Sequence, residues 1–173
     1  MVQIWVIIGE ANTRKSATIR ALTGVGRAQI NWQVDYTLGG SCPTFAWVQS
    51  LILLFIGFAA RGSFPTFVWV QSPQEQKPPL MPKDVIQIVQ NAQADRVILP
   101  LRYSPVKNTP GADAYLNSFA TTGWKIECLT YLGNHPVFVH PAGFAIPFQH
   151  IPGTRGMSSN NIASQIRGKW GLL

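Results

Sequence analysis

The sequence predicts a three-layer α/β domain in which a mainly parallel sheet carries helices on both faces. Two observations lead to this prediction. Strand-like and helix-like patterns alternate along most of the 173 residues, which is the order that parallel β-α-β units produce. The first strand-like segment, Gln3–Gly9, is a continuous apolar run, as is typical of a strand buried on both faces. A chain of this length suits one core, so residues 1–173 are interpreted as a single domain.

Hydrophobic periodicity assigns the remaining elements in chain order. Strands are predicted over residues 30–36, 66–71, 96–101 and 125–131, and residues 136–140 are a candidate sixth strand. Helices are predicted over residues 16–22, 82–94 and 112–121, and a last helix is predicted from Ser158 or Ser159 to residue 169. The stretch 141–156 is rich in proline and glycine and is predicted to be a loop.

One segment is duplicated within residues 40–72. Residues 40–50 recur as residues 62–72, a period of 22, and the copies differ only at Cys42 versus Phe64 and at Ala46 versus Val68. A compact sheet needs this strand pattern once, so the other copy is expected to form an extra strand, to pack as a loop, or to pair with another molecule. We expect the second copy to hold the strand position, because it leads directly into a polar linker. Residues 43–72 are also a candidate homo-oligomer interface.

The composition favours an anionic partner. Hydrophobic residues make up 46% and charged residues 12%, which excludes a disordered chain, and the formal net charge is +7. A basic balance favours nucleotides, nucleic acid or an acidic protein surface. Cys42 and Cys128 show no metal-ligand spacing, so a reduced, cytoplasmic compartment is expected. The amino terminus lacks the features of a signal peptide, and the apolar run 51–60 is shorter than the roughly 20 residues of a span, so no membrane association is expected.

The segment between the first strand and the first helix carries the strongest functional motif. It reads Gly9-Glu-Ala-Asn-Thr-Arg-Lys-Ser16. It resembles the Walker A loop of P-loop nucleoside triphosphatases, Gly-x-x-x-x-Gly-Lys-Ser/Thr, in the spacing of the first glycine, the lysine and the serine. In such a loop, backbone N–H groups and the helix dipole surround an anion. The candidate nucleotide-binding residues are therefore Gly9, Asn12, Thr13, Arg14, Lys15 and Ser16.

The resemblance to P-loop proteins also implies individual roles and a cofactor. Lys15 would pair with the β- and γ-phosphates of ATP or GTP and act as a catalytic residue, and the Ser16 hydroxyl would ligate Mg²⁺. The sequence departs from the family at Arg14, which stands where the second glycine belongs. Glycine permits torsions and a close approach that arginine does not. Arg14 therefore either swings outward and adds positive charge, or the loop no longer holds a triphosphate.

Carboxylates that could assist Mg²⁺ or water are few, because the chain has seven acidic residues. Asp35 lies at the end of the second predicted strand and is the candidate catalytic acid. Glu75 follows the third predicted strand. Glu10 lies inside the loop, where its charge would oppose a phosphate unless the side chain points away. This shortage of acids favours binding over fast hydrolysis.

Basic and aromatic residues outside the loop suggest further contacts. The cations expected to help at the site follow strands or lie in the late glycine-rich segment: Arg102, Lys107 and Arg155. A cluster on the last helix is a candidate docking surface for nucleic acid or a protein partner: Arg167, Lys169 and Trp170. The three histidines, His135, His140 and His150, are not spaced as zinc ligands.

The sequence thus predicts a P-loop-like domain that binds a nucleoside triphosphate and acts as a kinase-like module or a slow NTPase. The alternative is a non-enzymatic adaptor in which a degenerate P-loop survives without nucleotide and another surface binds nucleic acid or a protein.

Overall fold

The computed structural model describes residues 1–24, 31–37, 44–46, 63–134 and 146–170. Within these ranges the strands are β1 (Gln3–Gly9), β2 (Asn31–Thr37), β3 (Thr44–Ala46), β4 (Ser63–Trp69), β5 (Arg96–Arg102), β6 (Lys125–Leu132) and β7 (Phe148–Ile151). The α-helices are α1 (Lys15–Thr23), α2 (Pro82–Asn91), α3 (Ala112–Thr121) and α4 (Ser159–Trp170). A short 3₁₀ helix, Pro73–Glu75, follows β4.

The strands form one sheet in the order β3-β2-β4-β5-β1-β6-β7. The five neighbours from β4 to β7 in this order run parallel, whereas β2 is antiparallel to both β3 and β4. The expectation of a mainly parallel sheet is therefore confirmed. β1 lies inside the parallel part and pairs with β5 on one side and with β6 on the other along its whole length.

Helices cover both faces of the sheet, as the sequence predicts. Ile4, Val6 and Ile8 of β1 point into a core shared with α2 and α3. Trp5 and Ile7 point into the opposite core, which α1 and α4 complete. Successive side chains of a strand point to opposite faces, so a strand between two helical layers must be apolar at every position. That requirement explains the unbroken apolar run of β1.

The predicted elements and the observed ones differ at several boundaries; the third predicted strand, residues 66–71, is β4 (Ser63–Trp69), for example. The prediction of a loop over residues 141–156 is wrong in part, because it contains β7. β7 is short and, among the described residues, pairs with β6 alone, so its sequence carries little of the apolar pattern that identifies a central strand. Helix α2 ends at Asn91, before the predicted residue 94, and Gln93 has a φ of 51°, outside helical geometry. The candidate strand over residues 136–140 lies outside the described residues.

The duplicated segment contributes a strand from each copy. The second copy provides β4, which pairs with β5 and so extends the parallel sheet. The first copy provides β3, and both copies pair with β2 from opposite sides. Of the three alternatives for the first copy, the structure shows the extra strand, which is β3. The apolar run 51–60 lies outside them, and the interface over residues 43–72 stays a prediction.

Among the helices that the described residues form, none combines the length and the apolar character needed to cross a bilayer.

Candidate phosphate-binding site

The turn after β1 uses left-handed backbone at two positions that are not glycine. Gly9 is the last residue of β1, and α1 begins at Lys15. Asn12 and Arg14 both have left-handed backbone torsions, with φ of 61° and 65°. This conformation costs an ordinary residue about 1–2 kcal/mol and costs glycine almost nothing. Arg14 thus adopts a conformation that favours glycine and carries a cationic side chain there.

Close contacts with neighbouring atoms require a glycine at position 9. A Cβ atom at this position would lie 2.5 Å from Thr13 Oγ1 and 2.6 Å from the carbonyl oxygen of Leu132. The Thr13 hydroxyl donates a 2.9 Å hydrogen bond to the carbonyl of Glu10, which closes the turn. Any side chain at position 9 would push the loop away from the end of β6.

The backbone N–H groups of the turn and of the helix start are available to a ligand. Within the described parts of the chain, no hydrogen bond of good geometry joins the N–H groups of residues 11–17 to another protein group, although residues 11–12 form a tight turn, and the first intrahelical donor is Thr18, which bonds to the Arg14 carbonyl. Consecutive N–H groups at the positive end of a helix attract an anion. The candidate ligands Asn12, Thr13 and Ser16 all lie in this stretch.

Lys15 is buried at the base of the turn. Its ammonium donates hydrogen bonds to the carbonyls of Gly9, at 2.9 Å, and Glu10, at 2.7 Å. Burial lowers the pKa of Lys15 from 10.5 to about 8, against the opposing effect of the Glu75 and Glu10 carboxylates. A buried, incompletely compensated ammonium next to unpaired N–H groups is a strong attractor for a phosphate oxygen.

Arg102 organises the acidic side chains around the turn. Its guanidinium pairs with Glu75 at 3.0 Å and with Glu10 at 3.4 Å. The Ser104 hydroxyl donates a second hydrogen bond to the Glu10 carboxylate. Gln74 fixes the backbone of Arg102 by accepting from its N–H at 3.1 Å and donating to its carbonyl at 3.0 Å. Arg102 lies directly beside Gly9 in the register of β5 and β1.

Two cavities open at this edge of the sheet. The larger, about 460 Å³, lies over the turn and the start of α1, and we call it the loop cavity. It is lined by Ala11, Asn12, Thr13, Arg14, Lys15, Ser16, Ala17, Arg20, Glu75 and Arg155. The smaller, about 260 Å³, lies beside the ends of β1, β6 and β7. Thr13 and Arg155 line both cavities, so the two cavities share part of their walls, whereas Glu10 lines only the smaller one.

The position of the cavities agrees with the topology. The chain leaves β1 toward the β4 side of the sheet and leaves β6 toward β7 on the other side. Ligands of open α/β sheets bind at such a reversal, outside the carboxyl ends of the strands.

The side chains present do not make a protein-ligated Mg²⁺ site. Mg²⁺ is usually held by one or two carboxylates together with substrate phosphates. Of the expected donors, the Ser16 hydroxyl lines the loop cavity, but Glu10 and Glu75 are both paired with Arg102. In the part of the chain that the structure describes, no cluster of three or more His, Cys, Asp or Glu could hold a metal ion.

Asp35 lies at the opposite edge of the sheet from Lys15, which does not fit its expected catalytic role. Because β2 is antiparallel, Asp35 is level with Pro65 near the start of β4. The next residue of β4, Thr66, is level with Arg96, which in turn is level with Gln3 at the start of β1. Asp35 therefore lies at the amino-terminal edge of the parallel strands, opposite the turn. Glu75 is the acid that the fold brings to the loop cavity instead.

The three cations expected to help at the site occupy different positions in the structure. Arg155 lines both cavities, and Arg102 is used in ion pairs. Lys107 is exposed in the turn closed by Val106 and Thr109 and lines neither cavity.

The proposed docking cluster on α4 is largely taken up by contacts within the fold. Trp170 is 6% exposed, and its indole N–H donates to Thr130 Oγ1 at 2.9 Å. Arg167 donates to the carbonyls of Ala21 and Leu22, in the last turn of α1. Lys169 alone is exposed. A stacking surface at Trp170 is therefore absent from this fold.

Comparisons with protein-family models, with curated proteins and with solved structures give no match for this chain.

The sequence reasoning missed the roles of Gln74 and Arg102. Arg102 ends an apolar strand just as Gly9 does, and that parallel could have placed the two residues side by side. Nothing in the sequence pattern identifies Gln74 as the buried residue that holds the Arg102 backbone.

We expect Gly9→Ala to lower the free energy of unfolding by about 1–3 kcal/mol, because the added methyl group overpacks the turn. Gly168→Ala is the matched control. Gly168 lies in α4 with no neighbouring atom within 4 Å of an added Cβ, so the same substitution there should stabilise by about 0.5–1 kcal/mol. Urea unfolding measures both values. Equal stability of the two variants would contradict the close contacts at Gly9.

Proposed function

We propose that this chain is a P-loop-like domain that binds the phosphates of a nucleoside triphosphate, such as ATP or GTP, in the loop cavity. The observation that carries the proposal is the buried Lys15 ammonium, held against the carbonyls of Gly9 and Glu10 below a turn whose N–H groups make no well-formed hydrogen bond to the described residues. An anionic ligand would supply both a counter-charge for the ammonium and acceptors for these N–H groups.

Three further features support phosphate as the ligand. The helix dipole of α1 points its positive end at the cavity. The lining contains four basic side chains and a single acid, Glu75. The cavity lies at the carboxyl end of a central parallel strand, where open α/β sheets bind ligands.

The arrangement supports binding more strongly than catalysis. Phosphoryl transfer needs a group that orients the attacking hydroxyl or water. The carboxylates beside the turn, Glu10 and Glu75, are both paired with the single guanidinium of Arg102. A kinase-like or slow NTPase activity would therefore require Glu75 to leave Arg102 when substrate binds. The alternative adaptor function stays a prediction; within its proposed docking cluster, Trp170 is buried and Lys169 is exposed.

We expect Lys15→Ala to weaken the binding of ATP and GTP by at least about tenfold, since a hydrogen bond to a charged group contributes about 1.5–3 kcal/mol. Isothermal titration calorimetry measures the affinity. Lys125→Ala is the control, because it removes the same charge at the start of β6, level with Gln3 and opposite the turn. Equal affinities of parent and Lys15→Ala, or no binding to the parent, would overturn the proposed function.

The lowered pKa of Lys15 gives the binding a defined pH dependence. The ammonium is charged below pH about 8 and loses its proton above it, whereas a bound phosphate favours the charged form. The ratio of the parent's affinity for inorganic tripolyphosphate to that of Lys15→Ala, which cancels the ligand's own titration, should thus be nearly constant below pH about 8 and should fall as the pH rises beyond it. The Lys15→Ala variant should show no decline in this window. A parent profile parallel to that of the variant would exclude Lys15 as the titrating contact.

A further inference from the structure

We infer that the loop cavity takes the free, metal-unchelated form of its triphosphate ligand, with the fixed cations Arg14, Lys15 and Arg155 occupying the electrostatic role of Mg²⁺. This inference rests on the proposed function and specifies the ligand class of the same site.

The first support is that the side chains beside the turn are poorly suited to act as ligands of Mg²⁺. Arg102 occupies the position beside Gly9 at the end of β5, from which a carboxylate could reach a metal at the turn. It also binds both nearby acids, Glu10 and Glu75. An Mg²⁺ ion that took Glu10 or Glu75 as a ligand would have to break the corresponding ion pair and would leave the partly buried Arg102 guanidinium with less compensation, which is costly.

The second support is the placement of Arg14. Its backbone keeps the left-handed conformation of the turn, with a φ of 65°. Its guanidinium reaches across the turn and donates a 3.3 Å hydrogen bond to the carbonyl of Arg155. Arg14 and Arg155 both line the loop cavity. The bond between them is exposed and has a neutral acceptor, so a phosphate oxygen is a better partner for Arg14 than the carbonyl it now contacts.

The third support is the positive charge of the side chains that line the loop cavity. Besides these two arginines, Lys15 and Arg20 line the loop cavity, against the single carboxylate of Glu75. Such a lining suits a ligand that keeps its full negative charge. Chelation by Mg²⁺ neutralises part of that charge and adds a cation that the arginines repel. The metal-free ligand should therefore bind at least as tightly as the chelate.

The test is isothermal titration calorimetry with ATP and with inorganic tripolyphosphate, each in EDTA and each premixed with excess Mg²⁺. For the parent protein we expect the affinity in EDTA to equal or exceed the affinity in Mg²⁺ for both ligands. Arg14→Gly should lower the affinity in EDTA by about tenfold through the loss of a charge-assisted hydrogen bond, and it should shift the preference toward the Mg²⁺ chelate. Folding is not at risk, because glycine adopts the torsions of this position freely.

Two further variants make the test specific. Lys107→Gly is the matched control for Arg14→Gly, since Lys107 is also a cation with a left-handed φ, of 52°, but lines neither cavity. It should leave both affinities unchanged. Glu75→Gln should raise the affinity in EDTA, because it removes the one acid of the cavity. If Glu75 were a metal ligand, the same variant would lower the affinity in Mg²⁺ instead.

The outcomes separate the inference from the proposed function. Tighter binding by the parent in Mg²⁺ than in EDTA would overturn the inference and leave the proposed function standing. An Arg14→Gly affinity equal to that of Lys107→Gly would also overturn it. The absence of binding under both conditions would overturn the proposed function itself.

Discussion

The pairing of β1 with β5 and with β6 fixes the positions of all the other groups at the site. This double pairing places Gly9 level with Arg102 on one side and with Leu132 on the other. The chain must leave the sheet at this point, and the contacts around Gly9 leave no room for a side chain. The turn is therefore closed tightly, and α1 starts directly after it at Lys15.

The electrostatics of the site follow from that geometry. Closing the turn buries Lys15, and burial lowers its pKa to about 8. Two carbonyls of the turn offset part of this cost. Arg102, fixed beside Gly9 by strand register, pairs with both Glu10 and Glu75, and Glu75 also lines the loop cavity. Glu10 and Glu75 thus lie near enough to favour the charged form of Lys15, although both are paired with Arg102. The lining of the loop cavity is therefore mainly basic.

Much of the fold was predictable because β1, β5, β6 and the helices carry strong hydrophobic patterns. The turn was predictable because its residue types and its place after a buried strand coincide. Asp35 was misplaced because its pattern identifies a strand but not the strand's direction, and β2 runs antiparallel. Trp170 was expected at the surface because its sequence neighbours on α4 are basic. One of these neighbours, Arg167, contacts α1 by donating a hydrogen bond to the carbonyl of Ala21. Strand direction and helix orientation depend on tertiary contacts that a local pattern does not contain.

The central claim is that the backbone of residues 11–17 is an anion site built on β1. The most direct measurement is a titration with inorganic tripolyphosphate followed by backbone amide chemical shifts in ¹⁵N–¹H correlation spectra. We expect saturable shifts that are largest at the amides of residues 11–17 and that weaken together in Lys15→Ala. Saturable shifts confined to other parts of the chain, with those amides unmoved, would contradict the claim.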